Sequence, residues 1–148
     1  MAILTDLADV KQALLDSHRI AVLGASTKPH RAGFYVPEYM QTQGYEVYPV
    51  NPLQVGKAIW GEPVVGRLSQ VPTWCDTVNI YRRSEFLPGH TDEILSLDPL
   101  PRLVFFQLLV FDPASAARLS AAGIDVIQNR CMYADHQRLG LPPRSTDG

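Results

Sequence analysis

Five short apolar runs alternate along the chain with longer segments of helical periodicity, and this alternation restricts the fold more than any other feature. The runs predict strands at residues 19–24, 45–50, 78–81, 103–108 and 124–128. Runs this short and this apolar are typical of strands buried on both faces of a parallel sheet. Strands that alternate with helices imply βαβ units. The sequence therefore predicts one α/β domain over residues 1–148, a doubly wound parallel sheet of about five strands with helices on both faces.

The segments between these runs carry helix signals at their ends. The predicted helices are residues 5–17, 33–43, 84–97 and 113–123. Thr5 or Asp6 is a suitable N-cap for the first, Gly44 ends the second, and Asp112 precedes a proline at the start of the last. Residues 51–72 are rich in proline and glycine, so we expect a loop with one short extended piece near residues 58–60. The polar end, residues 140–148, is expected to fray.

Charge and cysteine content exclude several classes of protein. Thirteen lysines and arginines oppose fifteen acids, a net charge of -2, whereas nucleic-acid-binding domains normally carry a basic excess. Cys75 and Cys131 lie far apart and form no CxxC pair, which disfavours structural zinc or a disulfide framework. The first residues do not resemble a signal peptide, and no run approaches the roughly 20 apolar residues of a membrane span. We therefore expect a cytoplasmic protein that binds neither nucleic acid nor membranes.

The segment after the first predicted strand has the composition of an anion-binding loop. In a doubly wound sheet, ligands bind outside the carboxyl ends of the strands, near the point where the strand order reverses. Gly24 permits a tight turn there, and the next helix would present free backbone N–H groups to an anion. Ser26 and Thr27 add hydroxyls, while Lys28 and Arg31 add positive charge. An ordinary strand-to-helix turn is the alternative at this point.

The same loop disfavours a dinucleotide enzyme. The dinucleotide fingerprint is G-x-G-x-x-G, whereas this chain has G-A-S-T-K-P, with Ser26 in place of the second glycine. The second strand is followed by Asn51 rather than by the acid that binds a ribose hydroxyl. Both departures predict that NAD does not bind.

Further candidates follow the later strands. Arg82 and Arg83 suit phosphate because guanidinium groups match its oxygens, and Tyr81 could stack on a base, although solvated or ion-paired arginines are the alternative. Gln107 ends an apolar run and needs a hydrogen-bonding partner. Cys131 should lie on the ligand side of the sheet and Cys75 at the opposite end, and a buried, inert side chain is the favoured interpretation of Cys131. The sequence contains no catalytic constellation that we can identify.

Six motifs, taken in order, resemble one known family. The chain is similar to the small stand-alone CoA-binding proteins, which look like the CoA-binding domain of the succinyl-CoA synthetase α subunit without its ligase partners. The likeness covers about residues 7–139. Its motifs are I-A-V-L-G-A-S-T-K-P-x-R, Y-E-V-Y-P-V-N-P, G-x-x-I-W-G-E-P-V, V-N-I-Y-R-R-S-E, F-F-Q-L and Q-N-R-C.

This resemblance implies a Rossmann-like sheet with CoA lying across the strand ends. By motif position, four segments would form the site. They are a loop beside the phosphates, the loop after the second strand, a segment that meets the nucleotide part of CoA, and a glutamine that closes the site. The implied residues are, in that order, Gly24, Ala25, Ser26, Lys28 and Arg31; Asn51 and Pro52; Tyr81, Arg82 and Arg83; and Gln107. The ligase's catalytic histidine belongs to a second domain, so the resemblance implies no ligase reaction by this chain alone.

The chain departs from the family pattern at two places. Leu109 stands where the family usually has a glycine, two residues after the glutamine. The family's D-R-C-x-x-x-E becomes N-R-C-M-Y-A-D, so that Asn129 and Asp135 replace an aspartate and a glutamate.

The leading hypothesis is therefore a protein that binds CoA or a short acyl-CoA without chemistry of its own. Two alternatives stay open: an enzyme acting on a CoA thioester, with Cys131 or a bound water as nucleophile, and a nucleotide-sensing regulatory protein. The sequence also leaves open a protein partner or a homodimer.

Overall fold

A five-stranded parallel sheet forms the centre of the protein, as a computed structural model that describes residues 2–144 shows. The sheet strands are β1 (Arg19–Leu23), β2 (Glu46–Val50), β5 (Thr77–Ile80), β6 (Leu103–Gln107) and β7 (Asp125–Arg130). A separate two-stranded hairpin consists of β3 (Ala58–Ile59) and β4 (Glu62–Pro63), within the segment predicted to be mostly loop. The predicted α/β fold with five parallel strands is confirmed.

The spatial order of the sheet is β2-β1-β5-β6-β7. The chain runs from β1 outward to β2 and then returns to the other side of β1 to place β5. The strand order therefore reverses between β1 and β5, and loops after these strands diverge to opposite faces. This reversal opens a crevice at the carboxyl ends of the two strands, where ligands bind in doubly wound sheets.

Helices cover both faces of the sheet. They are α1 (Leu7–Asp16), α2 (Ala32–Thr42), α3 (Leu87–Leu95), α4 (Pro113–Ala121) and α5 (Met132–Arg138). Side chains of α1, α2 and α5 share one buried apolar cluster with the sheet, centred on Phe105. Those of α3 and α4 share a second cluster, centred on Phe106. Because neighbouring residues of a strand point to opposite faces, consecutive phenylalanines fill both cores.

Several local predictions differ from the structure. Helix α5 was not predicted, because its inward face includes the polar side chains of Asp135 and His136 instead of an apolar stripe. The helix expected from residue 84 begins with a 3₁₀ turn, Ser84–Phe86, before α3. Asp6, rather than Thr5, caps α1 by accepting a hydrogen bond from the backbone N–H of Ala8.

The expectation that residues 140–148 fray is wrong for the part that the structure describes. Leu141 is buried in the first apolar cluster. Arg144 donates a hydrogen bond to the Leu15 carbonyl (2.6 Å), and its guanidinium lies over the Tyr45 ring. Residues 145–148 lie outside the described residues. Within residues 2–144, no helix is long and apolar enough to cross a membrane.

Candidate functional site

A cavity of about 560 Å³ lies at the carboxyl ends of the central strands. Its walls come from the loops after β1, β2, β5 and β6, on both sides of the strand-order reversal. Of the eleven predicted site residues, ten line this cavity: Gly24, Ala25, Ser26, Lys28, Arg31, Asn51, Tyr81, Arg82, Arg83 and Gln107. Pro52 is not among the lining residues, although its neighbours Asn51 and Leu53 are. The fold thus brings the four predicted segments together.

Two glycines allow the loop after β1 to lie against its neighbours. Gly24 has a φ of +89°, and a Cβ added there would lie 2.7 Å from the Tyr81 carbonyl oxygen. A Cβ on Gly33 would lie 3.0 Å from the Gly24 carbonyl oxygen. Gly24 is therefore required both by its left-handed backbone and by the close approach of the loop after β5.

Polar side chains hold the floor of the cavity in shape. The Asn51 amide donates a hydrogen bond to the Ala25 carbonyl (2.8 Å), and its oxygen accepts one from the Leu53 backbone N–H (2.9 Å). The Ser26 hydroxyl accepts a hydrogen bond from the Lys28 backbone N–H (3.0 Å). Asn51 therefore ties the loop after β2 to the loop after β1.

Positive charge and a helix N-terminus face the cavity together. Helix α2 starts at Ala32, and its N-cap residue Arg31 makes no side-chain capping bond. Lys28 and Arg31 lie on the loop that leads into this helix. Backbone N–H groups at a helix start attract anions, and the nearby cations strengthen that preference. This wall is suited to an anionic ligand.

The two arginines after β5 have different surroundings. The Arg82 guanidinium lies 4.7 Å from the centre of the Phe86 ring, and its Nε donates to His90 Nε2 at 3.4 Å. The Arg83 side chain is 83% exposed, with a 3.8 Å ion pair to Glu85. Arg82 is thus held by the protein, whereas Arg83 is free to turn toward a ligand.

The Tyr81 phenol is directed away from solvent. Its hydroxyl is buried and has no hydrogen-bond partner among the described residues. Burial, followed by the neighbouring Cys131 and Tyr35, raises the pKa of the Tyr81 phenol well above its usual range. The hydroxyl therefore stays protonated and uncharged.

Gln107 ends β6 at the cavity with its side chain almost fully buried. Only 6% of the residue is exposed, and its Oε1 atom is without a hydrogen-bond partner in the part of the chain that the structure describes. Buried amide oxygens normally accept a hydrogen bond. Gln107 therefore lines the cavity with an unpartnered amide oxygen that the protein shields from solvent.

The turn after β6 takes a conformation that favours glycine. The Val110 N–H donates to the Gln107 carbonyl (2.8 Å), and Leu109 has a φ of +69°. Asn129 Oδ1 accepts a 2.6 Å hydrogen bond from the Leu109 N–H. Leu109 thus adopts a backbone conformation that favours glycine, the residue that the family resemblance implies here, and Asn129 stabilises it.

The two cysteines lie at opposite ends of the sheet. Cys131 follows β7 and precedes α5, at the carboxyl end, but it is not among the residues that line the cavity. Cys75 precedes β5 at the amino end and lines a different cavity. Next to Cys131, Arg130 donates two hydrogen bonds to the Asp135 carboxylate, at 2.7 and 2.8 Å. Asp135 therefore reaches Arg130 although it is shorter than the glutamate of the family motif.

Residues 18–137 match the CoA binding domain family. The chain belongs to that family. Membership supports CoA binding in general and agrees with the predicted resemblance.

Relatives of this CoA-binding-domain protein cover nearly its whole length. YneT of Bacillus subtilis strain 168, an uncharacterized protein, is 39% identical over 129 residues, 87% of this chain and 93% of YneT. A Thermus thermophilus structure, cell-free ID.343, is 36% identical, with a TM-score of 0.85, over 91% of this chain and 99% of that one. A dinucleotide-forming acetyl-coenzyme A synthetase from Ca. Korarchaeum cryptofilum shares the fold at 23% identity and a TM-score of 0.62, over 78% of this chain and 26% of that one.

Sequence reasoning missed part of the cavity wall. Residues that line the cavity but were not named as binding residues are Ala32, Gly33, Leu53, Gln54, Leu108, Leu109 and Val110. Gly33 carries a usable signal, because a glycine in the first turn of a helix indicates close backbone approach. Leu53 and Leu108 carry none, since nothing in the sequence shows that these leucines are exposed at the cavity.

Proposed function

We propose that the protein binds CoA or a short acyl-CoA in the cavity at the carboxyl ends of β1, β5 and β6, without chemistry of its own. The observation that carries this proposal is the convergence of cationic side chains and an uncapped helix start on one cavity, in a chain of the CoA binding domain family.

In the proposal, the cationic wall of the cavity binds the phosphate groups of the ligand. CoA carries a pyrophosphate and a further phosphate on its ribose. In the proposal, Lys28 and Arg31 bind phosphate together with the N–H groups at the start of α2, and Arg83 reaches the same region from the loop after β5. Charge-assisted hydrogen bonds of this kind are about twice as strong as neutral ones.

In the proposal, Gln107 binds the uncharged pantetheine arm of the ligand. The pantetheine arm of CoA contains two amide groups, each with an N–H donor. The buried Oε1 of Gln107 lacks a partner among residues 2–144 and needs such a donor. In the proposal, the Gln107 side chain turns toward the cavity when the ligand binds and accepts a hydrogen bond from a pantetheine N–H, which removes the free-energy penalty of an unpaired buried oxygen.

Native mass spectrometry of the freshly purified full chain tests the proposal. We expect a species heavier than the chain by the mass of CoA or of an acyl-CoA, and the mass should disappear on denaturation. A co-purified dinucleotide such as NAD would contradict the proposal. A companion assay follows thioester concentration in mixtures of the protein with acyl-CoAs, and steady consumption would favour an enzyme instead.

A further inference from the structure

The turn formed by residues 107–110 presents two leucines to the ligand cavity. Leu108 is 53% exposed and Leu109 is 79% exposed, and both line the cavity. Neither belongs to the buried apolar clusters of the core. Packing within the protein therefore does not account for two large apolar side chains at this position.

Leu109 also occupies an unfavourable backbone conformation. Its φ of +69° suits glycine, because a side chain there is crowded by its own backbone. The turn is nevertheless fixed at both ends, by the 2.8 Å bond from Val110 to Gln107 and the 2.6 Å bond from Leu109 to Asn129. A strained residue held in place at a ligand cavity is a reason to look for a functional role.

The arrangement along the cavity indicates which part of the ligand reaches this turn. The cationic loops follow β1 and β5, in the middle of the sheet, and the turn follows β6, one strand further out. On the β2 side, both polar atoms of the Asn51 side chain are already bonded to the protein. On the β6 side, the Oε1 of Gln107 has no hydrogen-bond partner among the described residues and lies just beneath the cavity surface. A pantetheine arm that extends from the central phosphates can therefore gain a hydrogen bond on the β6 side if the Gln107 side chain turns toward it. The far end of the arm then lies near the two leucines.

We infer that the ligand is a CoA thioester with an apolar acyl group, and that Leu108 and Leu109 contact that group. The inference rests on the proposed function and narrows it from CoA in general to one ligand class. Free CoA would fill the charged part of the cavity and leave the two leucines in contact with water. An apolar acyl chain would remove part of their surface from water, and burial of this kind strengthens binding in proportion to the apolar area.

Calorimetric titration of the full chain with free CoA, acetyl-CoA, butyryl-CoA and hexanoyl-CoA tests the inference. Affinity should rise with chain length, by about tenfold from acetyl to butyryl if both added methylenes are largely buried. Leu109→Asn should abolish that rise, because asparagine tolerates the same backbone and lacks the apolar side chain. Leu109→Gly provides a second variant that fits the turn without strain.

Phe111→Asn is the matched control. Phe111 is an exposed apolar residue two positions beyond Leu109, and it does not line the cavity. This variant should keep the dependence on chain length. The inference is overturned if the wild-type protein binds all four ligands equally, or if Phe111→Asn removes the dependence while Leu109→Asn keeps it. Equal losses for free CoA and acyl-CoAs in Leu109→Asn would also overturn it, since the leucine would then contact CoA itself. If none of the four ligands binds, the proposed function fails as well.

Discussion

The two ends of the sheet both carry buried polar groups, but they satisfy them in different ways. At the amino end, Asp76 is 7% exposed and accepts hydrogen bonds from the backbone N–H groups of His18 and Arg19 and from the Thr77 hydroxyl, at 2.8–3.1 Å. At the carboxyl end, the Gln107 oxygen has no partner and the start of α2 has no side-chain cap, within the described residues.

This difference distinguishes the structural cluster around Asp76 at the amino end from the candidate ligand site at the carboxyl end. Polar groups bonded within the protein stabilise the fold, and they offer little to a ligand. Polar groups left open inside a cavity lower stability unless a ligand or water satisfies them. The comparison predicts that substitutions at the amino end change stability, and that substitutions at the carboxyl end change ligand binding.

Asp76→Ala should have the largest effect on stability. It leaves two or three buried donors without an acceptor, so we expect the free energy of unfolding to fall by about 3 kcal/mol. Urea unfolding measures this change. The affinity of the folded fraction for CoA should be unaltered, and a large loss of affinity without a loss of stability would contradict the proposed division between the two ends.

Gly24→Val should have the largest effect on binding. Its side chain would approach the Tyr81 carbonyl oxygen too closely, so the loop must move out of its binding position. We expect no detectable CoA binding and a stability loss of about 1–3 kcal/mol from backbone strain.

Gly56→Val is the matched control for strain alone. Gly56 also has a positive φ, +97°, but no atoms lie within 4 Å of an added Cβ. This variant should bind CoA normally. Circular dichroism must show that both proteins are folded, and a folded Gly24→Val that binds CoA normally would place the phosphates elsewhere.

The arginines after β5 should separate binding from stability. Arg83→Ala should weaken CoA binding by about 1.5–3 kcal/mol with an unchanged melting temperature, because the side chain is exposed and its contribution is to a charged ligand. Arg83→Lys should restore only part of the lost affinity. The double variant, with alanine in place of both Arg82 and Arg83, should show a weaker salt dependence of CoA binding than the wild-type protein.

Arg82→Ala should lower stability as well, by about 0.5–1 kcal/mol, because it removes the contact with the Phe86 ring. The packing of Arg82 on Phe86 therefore distinguishes it from the exposed Arg83. If Arg83→Ala lowers the melting temperature and leaves affinity intact, Arg83 is structural and the site assignment rests on the loop after β1.

The smallest expected effect is a difference between Cys75 and Cys131 in their reaction with oxidised CoA. Burial, followed by the Asp76 carboxylate, raises the pKa of the Cys75 thiol to about 12, so the reactive thiolate form of Cys75 is scarce at pH 8. Cys131, near the ligand end, should attack the disulfide and form a mixed disulfide while one CoA thiolate leaves. Mass spectrometry of peptides should find the adduct on Cys131, and an adduct on Cys75 alone would refute the prediction.

Much of the fold was predictable because the strands are buried on both faces. The short apolar run from Leu103 to Gln107 predicts a buried strand, and the structure has β6 there. Gly44 and Gly123 follow helices with a positive φ, as predicted. Helix α5 was not predictable from periodicity, since Asp135 is buried by its ion pair with Arg130, a contact that depends on the folded chain.

The site was predictable at the level of loops and less so at the level of contacts. Gly24 and Lys28 follow a strand in an order that indicates an anion-binding turn, and both line the cavity. The stacking of Arg82 on Phe86 and the bond from Asn51 to Ala25 depend on tertiary placement. No local sequence signal specifies them.

The most direct test of the central claim is a calorimetric titration of the full chain with CoA and, separately, with NAD. The uncapped start of α2, the cations beside it and the single cavity that they line predict that CoA binds with one site per chain, and Ser26 replaces the second glycine of the dinucleotide fingerprint. They also predict that NAD gives no measurable binding under the same conditions. Equal or tighter binding of NAD would contradict the account.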